Sequence, residues 1–316
     1  MSIPTVQQAQ DLCEAIIENV ERVIVGKRSV IEDTLVCLLA GGHILLEDVP
    51  GVAKTMLAKA LAASVNGKFS RLQFTPDLLP SDVMGVNIYN QKTSEFTFRR
   101  GPVFTNILLA DEINRASPRT QSALLESMEE RQVTVDGVTY PLPDPFLVIA
   151  TENPIEHEGV YALPESQLDR FMMKLNIGYP TREQEKEIVQ SQLRQHPIEQ
   201  LGHVTTIEEI QNLQAVASEC DVDDEIYDYV MDIVELTRRS DELILGASPR
   251  GTLAMVRCSQ ALATLQGRDY VIPDDIKRLV TSTLAHRIQL APQARMGDMT
   301  ASAVLGQIIE QIPVPV

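Results

Sequence analysis

The fold is decided by residues 43–55, whose sequence is His-Ile-Leu-Leu-Glu-Asp-Val-Pro-Gly-Val-Ala-Lys-Thr. The apolar run 44–46 predicts a buried strand, Pro50-Gly51 predicts a turn, and the apolar stripe that follows predicts a helix. Backbone N–H groups at the start of such a helix point at an anion, and the helix dipole favours negative charge there. Lys54 would add a positive charge for phosphates, and the Thr55 hydroxyl could ligate magnesium. We therefore predict a phosphate-binding loop.

This loop departs from the common pattern Gly-x-x-x-x-Gly-Lys-Ser/Thr at two positions, where the chain has Asp48 and Ala53. Glycine tolerates a positive φ angle that costs alanine roughly 1 kcal/mol. Ala53 must therefore either adopt a negative φ or carry this strain. An ordinary strand-turn-helix with an exposed lysine would also fit the stretch, so the rest of the chain has to decide.

Composition and length restrict the class of protein. The 316 residues are enough for two packed domains, and 44% hydrophobic with 22% charged residues is ordinary for a globular protein. No apolar run approaches the roughly 18 residues of a membrane span, and the N-terminus lacks a leader pattern. We therefore expect a cytoplasmic protein without membrane insertion. The four cysteines have no Cys-x-x-Cys spacing, so buried free thiols are expected rather than a zinc site.

The charge of the chain argues against a nucleic-acid partner. Lys and Arg number 27 against 44 Asp and Glu, which gives a net charge of −17. Such a charge disfavours broad binding to nucleic acid or anionic lipid, although a locally basic channel would remain compatible with it. The chain has no Trp, seven Phe and seven Tyr, which is few for stacking single-stranded bases. We therefore expect no nucleic-acid partner.

A second apolar strand, 106–110, ends in two carboxylates, Asp111 and Glu112. Beside the loop strand, Asp111 would hold magnesium directly or through water, and Glu112 would orient and deprotonate an attacking water. The two carboxylates could instead merely open the next segment, but their pairing with the loop favours a catalytic site. A further strand, 146–151, leads to Asn153, which would lie near the phosphates or simply start a turn before proline.

The order of elements predicts two domains. Alternating strands and helices predict a parallel α/β sheet, with hairpin insertions near 83–99 and 132–140. The pattern after His196-Pro197 is helical throughout, with capping boxes and prolines at helix starts. We therefore expect an α/β domain over 1–196 and an all-helical domain over 197–316.

Six ordered motifs carry a family resemblance: Val25-Gly26, Pro-Gly-Val-Ala-Lys54-Thr55, Leu-Leu-Ala-Asp111-Glu112-Ile-Asn-Arg115, Ala-Thr-Glu-Asn153-Pro, Leu-Asp-Arg170-Phe and Ser-Pro-Arg250. Together they resemble the MoxR family of AAA+ ATPases over almost the whole chain. The resemblance implies a P-loop αβα sandwich followed by a small helical lid, with the hairpins as a helix-2 insert and a pre-sensor hairpin. It also implies ATP and Mg²⁺ as cofactors.

The resemblance further assigns roles to residues. It implies a metal site at Thr55 and Asp111, and catalytic roles for Glu112, for Asn153 as sensor 1 and for Arg250 as sensor 2. Arg170 resembles the finger that reaches a neighbouring subunit's ATP, although Arg115 and Arg119 are equally placed to act across an interface. The implied nucleotide-binding residues are Val25, Gly26, Pro50, Gly51, Val52, Ala53, Lys54, Thr55, Met56 and Asp111.

Three functional hypotheses follow. Kinship with MoxR implies an ATP-hydrolysing homo-oligomer, a hexameric ring that remodels or matures a client protein, for example by helping to insert a metal cofactor. A nucleic-acid translocase similar to the MCM helicases would need basic hairpin tips, but the second tip is Asp136-Gly137 and the first offers Lys92. A nucleotide-gated scaffold without hydrolysis would most readily lose Glu112, which is present. The identity of the client is not encoded in any of these motifs.

Overall fold

The computed structural model describes residues 4–48, 51–92, 94–152, 160–193 and 197–315. Three residues used in the sequence predictions, Pro50, Asn153 and His196, therefore lie outside the described residues. The boundary predicted between residues 196 and 197 stays a prediction for the same reason.

The elements are numbered in chain order. The strands are β1 (Ile44–Glu47), β2 (Phe69–Gln73), β3 (Gly85–Asn90), β4 (Glu95–Arg100), β5 (Ile107–Asp111), β6 (Gln132–Val135), β7 (Val138–Pro141), β8 (Leu147–Glu152), β9 (Met173–Leu175), β10 (Leu243–Leu245) and β11 (Gln289–Leu290). The helices are α1 (Val6–Glu21), α2 (Arg28–Leu39), α3 (Lys54–Ser64), α4 (Pro80–Met84), α5 (Pro118–Glu130), α6 (Glu165–Leu168), α7 (Arg182–Gln192), α8 (Ile207–Ser218), α9 (Asp224–Arg239), α10 (Pro249–Leu265), α11 (Pro273–Leu284), α12 (Pro292–Met296) and α13 (Ala301–Gln311), with 3₁₀ turns at Ile113–Arg115 and Pro197–Gln200.

The central sheet is parallel and has the strand order β2-β5-β8-β1-β9. The register brings the carboxyl ends of neighbouring strands together, because Glu47 lies opposite Glu152 and Gln73 lies opposite Asp111. Polar residues that end these strands therefore meet at one edge of the sheet. This confirms the predicted α/β class.

Side-chain alternation along the strands builds the two faces of the sandwich. In β1, Ile44 and Leu46 face one apolar cluster while Leu45 faces the other. The first cluster is covered by α1–α3 and by the C-terminal helices, and the second by α5 and its neighbours. A strand that is buried on both faces must be apolar at every position, which is why these strands appear as continuous apolar runs.

The C-terminal part is helical, as predicted, and its helices continue the first cluster. Helix α10 packs against α1 and α2 as well as against α8 and α11. The structure also adds a short antiparallel ribbon of β10 and β11, which no local pattern indicated because its two strands lie on either side of α10 and α11. The four cysteines are buried free thiols, as predicted. Within the described part of the chain, no helix is both long and apolar enough to cross a membrane.

Both predicted hairpins are present. Strands β3 and β4 pair in an antiparallel register, and β6 pairs with β7 around the Asp136-Gly137 turn. The two hairpins touch each other, since the rings of Phe98 and Tyr140 stack with centroids 4.1 Å apart. The Asn87 side chain also donates a hydrogen bond of 2.7 Å to Asp136. The hairpins therefore form one unit beside the sheet.

Candidate nucleotide-binding site

Among the described residues of the loop between β1 and α3, two have positive φ. Gly51 has φ 89° and Ala53 has φ 59°, in the left-handed region. Of the two possibilities for Ala53, the structure therefore has the strained one. Ala53 is the residue before α3, which begins at Lys54. The first turn of α3 and the Lys54 side chain are thereby presented to a cavity at the carboxyl edge of the sheet.

Asp48, the first departure from the loop pattern, anchors the loop. Its side chain is 4% exposed and accepts hydrogen bonds from the backbone N–H groups of Ile177 and Gly178, the latter at 3.3 Å. The two hydrogen bonds from backbone N–H groups offset the cost of burying this carboxylate. Glycine at this position could not make this link. The loop is therefore fastened to the segment after β9.

The Lys54 ammonium group lies where β1 and β8 end. It donates hydrogen bonds to the backbone carbonyl oxygens of Asp48 and Glu152, the latter at 3.3 Å. Burial lowers the pKa of Lys54, while the carboxylates of Asp48 and Asp111 act in the opposite direction. The half-buried Lys54 ammonium group, held in position by carbonyl oxygens, can bind phosphate oxygens.

A cavity of about 410 Å³ joins the loop to the two carboxylates. It is lined by Gly51, Val52, Ala53, Lys54, Thr55, Met56, Arg71, Gln73, Asp111, Glu112 and Thr151. The oxygens of Thr55 and Asp111 are the hard ligands that Mg²⁺ prefers, so these residues fit the expected metal. Among the described residues, no group of three or more His, Cys, Asp and Glu forms a metal cage. The remaining ligands would have to be phosphate oxygens and water.

An apolar cavity of about 420 Å³ continues from the loop. It shares Gly51, Val52, Ala53 and Met56 with the first cavity, and its other walls are Val23–Val25, Lys27, Ile177–Pro180, Pro197 and part of α7. Its size and apolar walls suit a nucleobase. Gly26, a predicted binding residue, lies between two residues that line this cavity and has φ 67°. A Cβ at this position would lie 2.0 Å from the Gln184 side chain.

Asp111 ends β5 and Glu112 follows it, as predicted, but β5 is not the neighbour of the loop strand, because β8 lies between β5 and β1. A residue that was not predicted links the two carboxylates. The Thr151 hydroxyl donates to Oδ1 of Asp111 at 2.7 Å and accepts from the backbone N–H of Glu112 at 2.8 Å. Glu112 itself has φ 56°. Thr151 is the polar residue that ends the apolar run 147–150 of β8, and that was the available signal.

Two further residues that were not predicted come from β2. Arg71 donates to Oδ2 of Asp111 through Nη2 at 2.7 Å and through Nε at 3.2 Å. The Gln73 amide donates to Oε2 of Glu112 at 2.7 Å, and Arg115 donates to the same oxygen at 3.0 Å. Arg71 and Gln73 are two positions apart, so they lie on the same face of the strand.

Arg170 and Arg250 lie near the amino ends of the strands, on the side of the sheet opposite the carboxyl ends. Both pair with one carboxylate near the end of α5, Glu129, with Arg170 at 3.1 Å. Arg170 precedes β9, and the backbone of Met172 donates to the carbonyl of His43, which precedes β1, at 2.8 Å. Neither arginine lines the two cavities beside Lys54. The four residues of β1 separate the edges by roughly 10 Å.

A buried network fixes the two arginines relative to each other. The carboxylate of Asp169 accepts from the Ser248 hydroxyl at 2.8 Å and from Nε of Arg287 at 2.9 Å. Arg287 is 6% exposed and also donates to the carbonyl of Phe171 at 2.7 Å. Asp169 adjoins Arg170, and Ser248 caps the helix that carries Arg250. The two arginines are therefore presented together.

Comparisons with known proteins agree with this geometry. Residues 43–173 match the family described as ATPase family associated with various cellular activities (AAA), and residues 235–308 match the AAA lid domain. The uncharacterized protein YeaC of Bacillus subtilis is 53% identical over 95% of this chain and 94% of its own length. Chaperone MoxR1 of Mycobacterium tuberculosis is 44% identical over 96% of this chain and 82% of its own length.

A crystal structure from Cytophaga hutchinsonii, of a protein named as a suspected ATPase, superposes with a TM-score of 0.92 and 37% identity, covering 98% of this chain and 97% of that one. The loop with Lys54 beside paired carboxylates on a parallel sheet, the helical C-terminal part and the two family matches identify an AAA+ ATPase. Within that class, the chain belongs to the MoxR family.

Proposed function

We propose that the chain binds ATP with Mg²⁺ and hydrolyses it. The apolar cavity would take the base, and the loop with Lys54 would take the β- and γ-phosphates. Thr55 and Asp111 would hold Mg²⁺, which when bound would neutralise charge on the phosphate oxygens. Glu112 would accept the proton of the attacking water. The resemblance implies that Asn153 would act as sensor 1 beside the γ-phosphate.

The active site is shared between subunits of a homo-oligomer in this proposal. Its main support is the position of Arg170 and Arg250 at the edge of the sheet opposite Lys54, both paired with Glu129. An arginine on that edge does not line the cavities beside Lys54 of its own chain, but it can face the ATP of a neighbour. Arg115 is less suited to this role because it pairs with Glu112 of its own site. A closed ring, expected to be hexameric, satisfies every such site.

The work done with ATP is client remodelling in the cytoplasm, in the manner that the name of MoxR1 as a chaperone suggests. Kinship with MoxR suggests that this remodelling includes the insertion of a metal cofactor into the client. The competing translocase hypothesis is weakened by the acidic tip at Asp136 and by the net charge of −17. The scaffold hypothesis is weakened because Glu112 is present and lies beside Asp111 in the same cavity.

Mixing inactive variants tests the shared site. Lys54→Ala removes the positive charge that would bind the phosphates, and Arg170→Ala removes the arginine finger. Each variant alone should lose most activity, since an arginine finger contributes about 10³–10⁵ in rate. A mixture that exchanges subunits creates sites with both residues intact. Phosphate release by the mixture should therefore recover in part.

The matched control is a mixture of Lys54→Ala with Glu112→Gln. Both changes damage the same half of the site, so no intact site forms and no activity should return. If the first mixture stays as inactive as the control despite proven co-assembly, the trans assignment of Arg170 is wrong. Full activity of Arg170→Ala alone would also contradict it, and Arg119 would become the next candidate.

A further inference from the structure

The edge strand β2 supplies a cation to the carboxylate that would hold Mg²⁺. The guanidinium of Arg71 forms a fork on Oδ2 of Asp111, with distances of 2.7 and 3.2 Å. The other oxygen, Oδ1, accepts from Thr151 at 2.7 Å. Gln73 also holds the guanidinium, because its Oε1 accepts at 3.1 Å from the same Nη2 that donates to Asp111. Both carboxylate oxygens of Asp111 thus accept hydrogen bonds from other side chains.

We propose that Arg71 is an internal substitute for the metal, which neutralises Asp111 when no metal is bound and leaves it when Mg²⁺ enters with ATP. This inference rests on the proposed ATP binding. A guanidinium and a dication that approach the same oxygen repel each other, so they bind Asp111 in alternation. Arg71 has room to leave, because its side chain is 49% exposed and β2 is the outer strand of the sheet.

The exchange has a measurable consequence for ATP binding without metal. Next to a triphosphate, an unpaired Asp111 would repel the ligand. In the native chain Arg71 removes most of this repulsion, so binding should survive metal removal comparatively well. Without Arg71, ATP binding in the absence of metal should weaken. In the presence of Mg²⁺, the metal should bind Asp111 without competition from the guanidinium. Both effects raise the ratio of the ATP dissociation constant in EDTA to that in Mg²⁺, which we call the metal coupling ratio.

The test measures this ratio with a fluorescent ATP analogue. Arg71→Gln removes the charge at similar length, and we expect its metal coupling ratio to exceed the native ratio by about tenfold, within the usual range of coupling between sites. Arg71→Lys keeps the charge but loses the fork, so its ratio should lie between these two. The matched control is Arg239→Gln on α9, where the arginine is 73% exposed and far along the chain from the site. Its ratio should equal the native one.

A double-mutant cycle locates the effect. In an Asp111→Asn background there is no carboxylate charge to neutralise, so Arg71→Gln should leave the ratio unchanged. A ratio for Arg71→Gln that equals or falls below the native one overturns the inference, and so does an equal increase in the Asp111→Asn background. If Arg71→Gln does not fold, the lysine variant decides by the same criterion. If even the native chain binds no ATP, the proposed function fails instead.

Discussion

Replacing Ala53 by glycine tests the conformation of the phosphate loop. Ala53 has φ 59° and ψ 14°, and the left-handed region costs a residue with a Cβ about 1–2 kcal/mol. Glycine avoids this cost but makes the unfolded chain more flexible, which costs about 0.4–1 kcal/mol. We therefore expect Ala53→Gly to stabilise the protein by roughly 0.5–1 kcal/mol, or about 1–3 °C in the melting temperature.

The matched control is the opposite change in the same loop. Gly51 has φ 89°, and apart from its chain neighbours no atom of the described residues lies within 4 Å of a Cβ built there. Gly51→Ala therefore meets no steric contact, and its cost is in the backbone. The left-handed backbone costs alanine about 1–2 kcal/mol, of which about 0.4–1 kcal/mol is offset because alanine makes the unfolded chain less flexible. Gly51→Ala should therefore lower the free energy of unfolding by roughly 0.5–1 kcal/mol. The two variants exchange one methyl group in opposite directions, so their melting temperatures should move apart on either side of the native value.

Thermal unfolding followed by calorimetry, with ATP affinity measured beside it, decides the matter. If the loop keeps its conformation when ATP binds, the strain is present in both states and the affinity of Ala53→Gly should stay within about twofold. A loss of stability in Ala53→Gly would refute the left-handed assignment. A large gain in affinity would mean that alanine weakens nucleotide binding, which would strengthen the scaffold hypothesis.

Two further predictions concern Glu112 and His43. Glu112→Gln should keep ATP binding but lower phosphate release by about 10²-fold or more, because an amide cannot accept the proton of water; normal turnover would exclude Glu112 as the base. His43 is buried, and its Nδ1 accepts from the N–H of Val148 at 3.0 Å, so Nε2 carries the proton toward the carbonyl of Met128. Burial lowers the pKa of His43 from 6.5 to about 4. Its stabilising effect is therefore complete above pH 6.5 and is lost as the pH falls toward 4, by about 2 kcal/mol at pH 5. In chemical denaturation, His43→Gln should lose less stability than the native chain between pH 7 and pH 5, and an identical loss would contradict the assignment.

Local patterns predicted the loop and the paired carboxylates because these features lie within single short stretches. Lys54 begins α3, which follows β1 after one short loop, and Asp111 with Glu112 lies at the end of β5. The side chains that hold the carboxylates could not be predicted in this way. Arg71 and Gln73 reach them from β2, and Thr151 reaches them from β8, so their roles depend on the register of neighbouring strands.

The same limit applies to the two departures from the loop pattern and to the arginines. Asp48 is explained only by the backbone of Ile177 and Gly178, which folding brings to it. The sequence predicted that Arg170 crosses an interface. That Arg250 shares Glu129 with it could be seen only after the sheet and the C-terminal helices were packed.

The packing of α10 against α1 and α2 has a consequence for biosynthesis. The first two helices emerge early from the ribosome, but part of their apolar surface is covered by residues near 250–265, which are made much later. Contacts so distant in sequence close slowly. Nascent chains stalled before α8 should therefore expose α1 and α2 to protease, whereas complete chains should protect them; equal protection would show that these helices fold without their late partners. Until synthesis passes α10, a protein of a chaperone-like family would itself present the kind of apolar surface that chaperones bind.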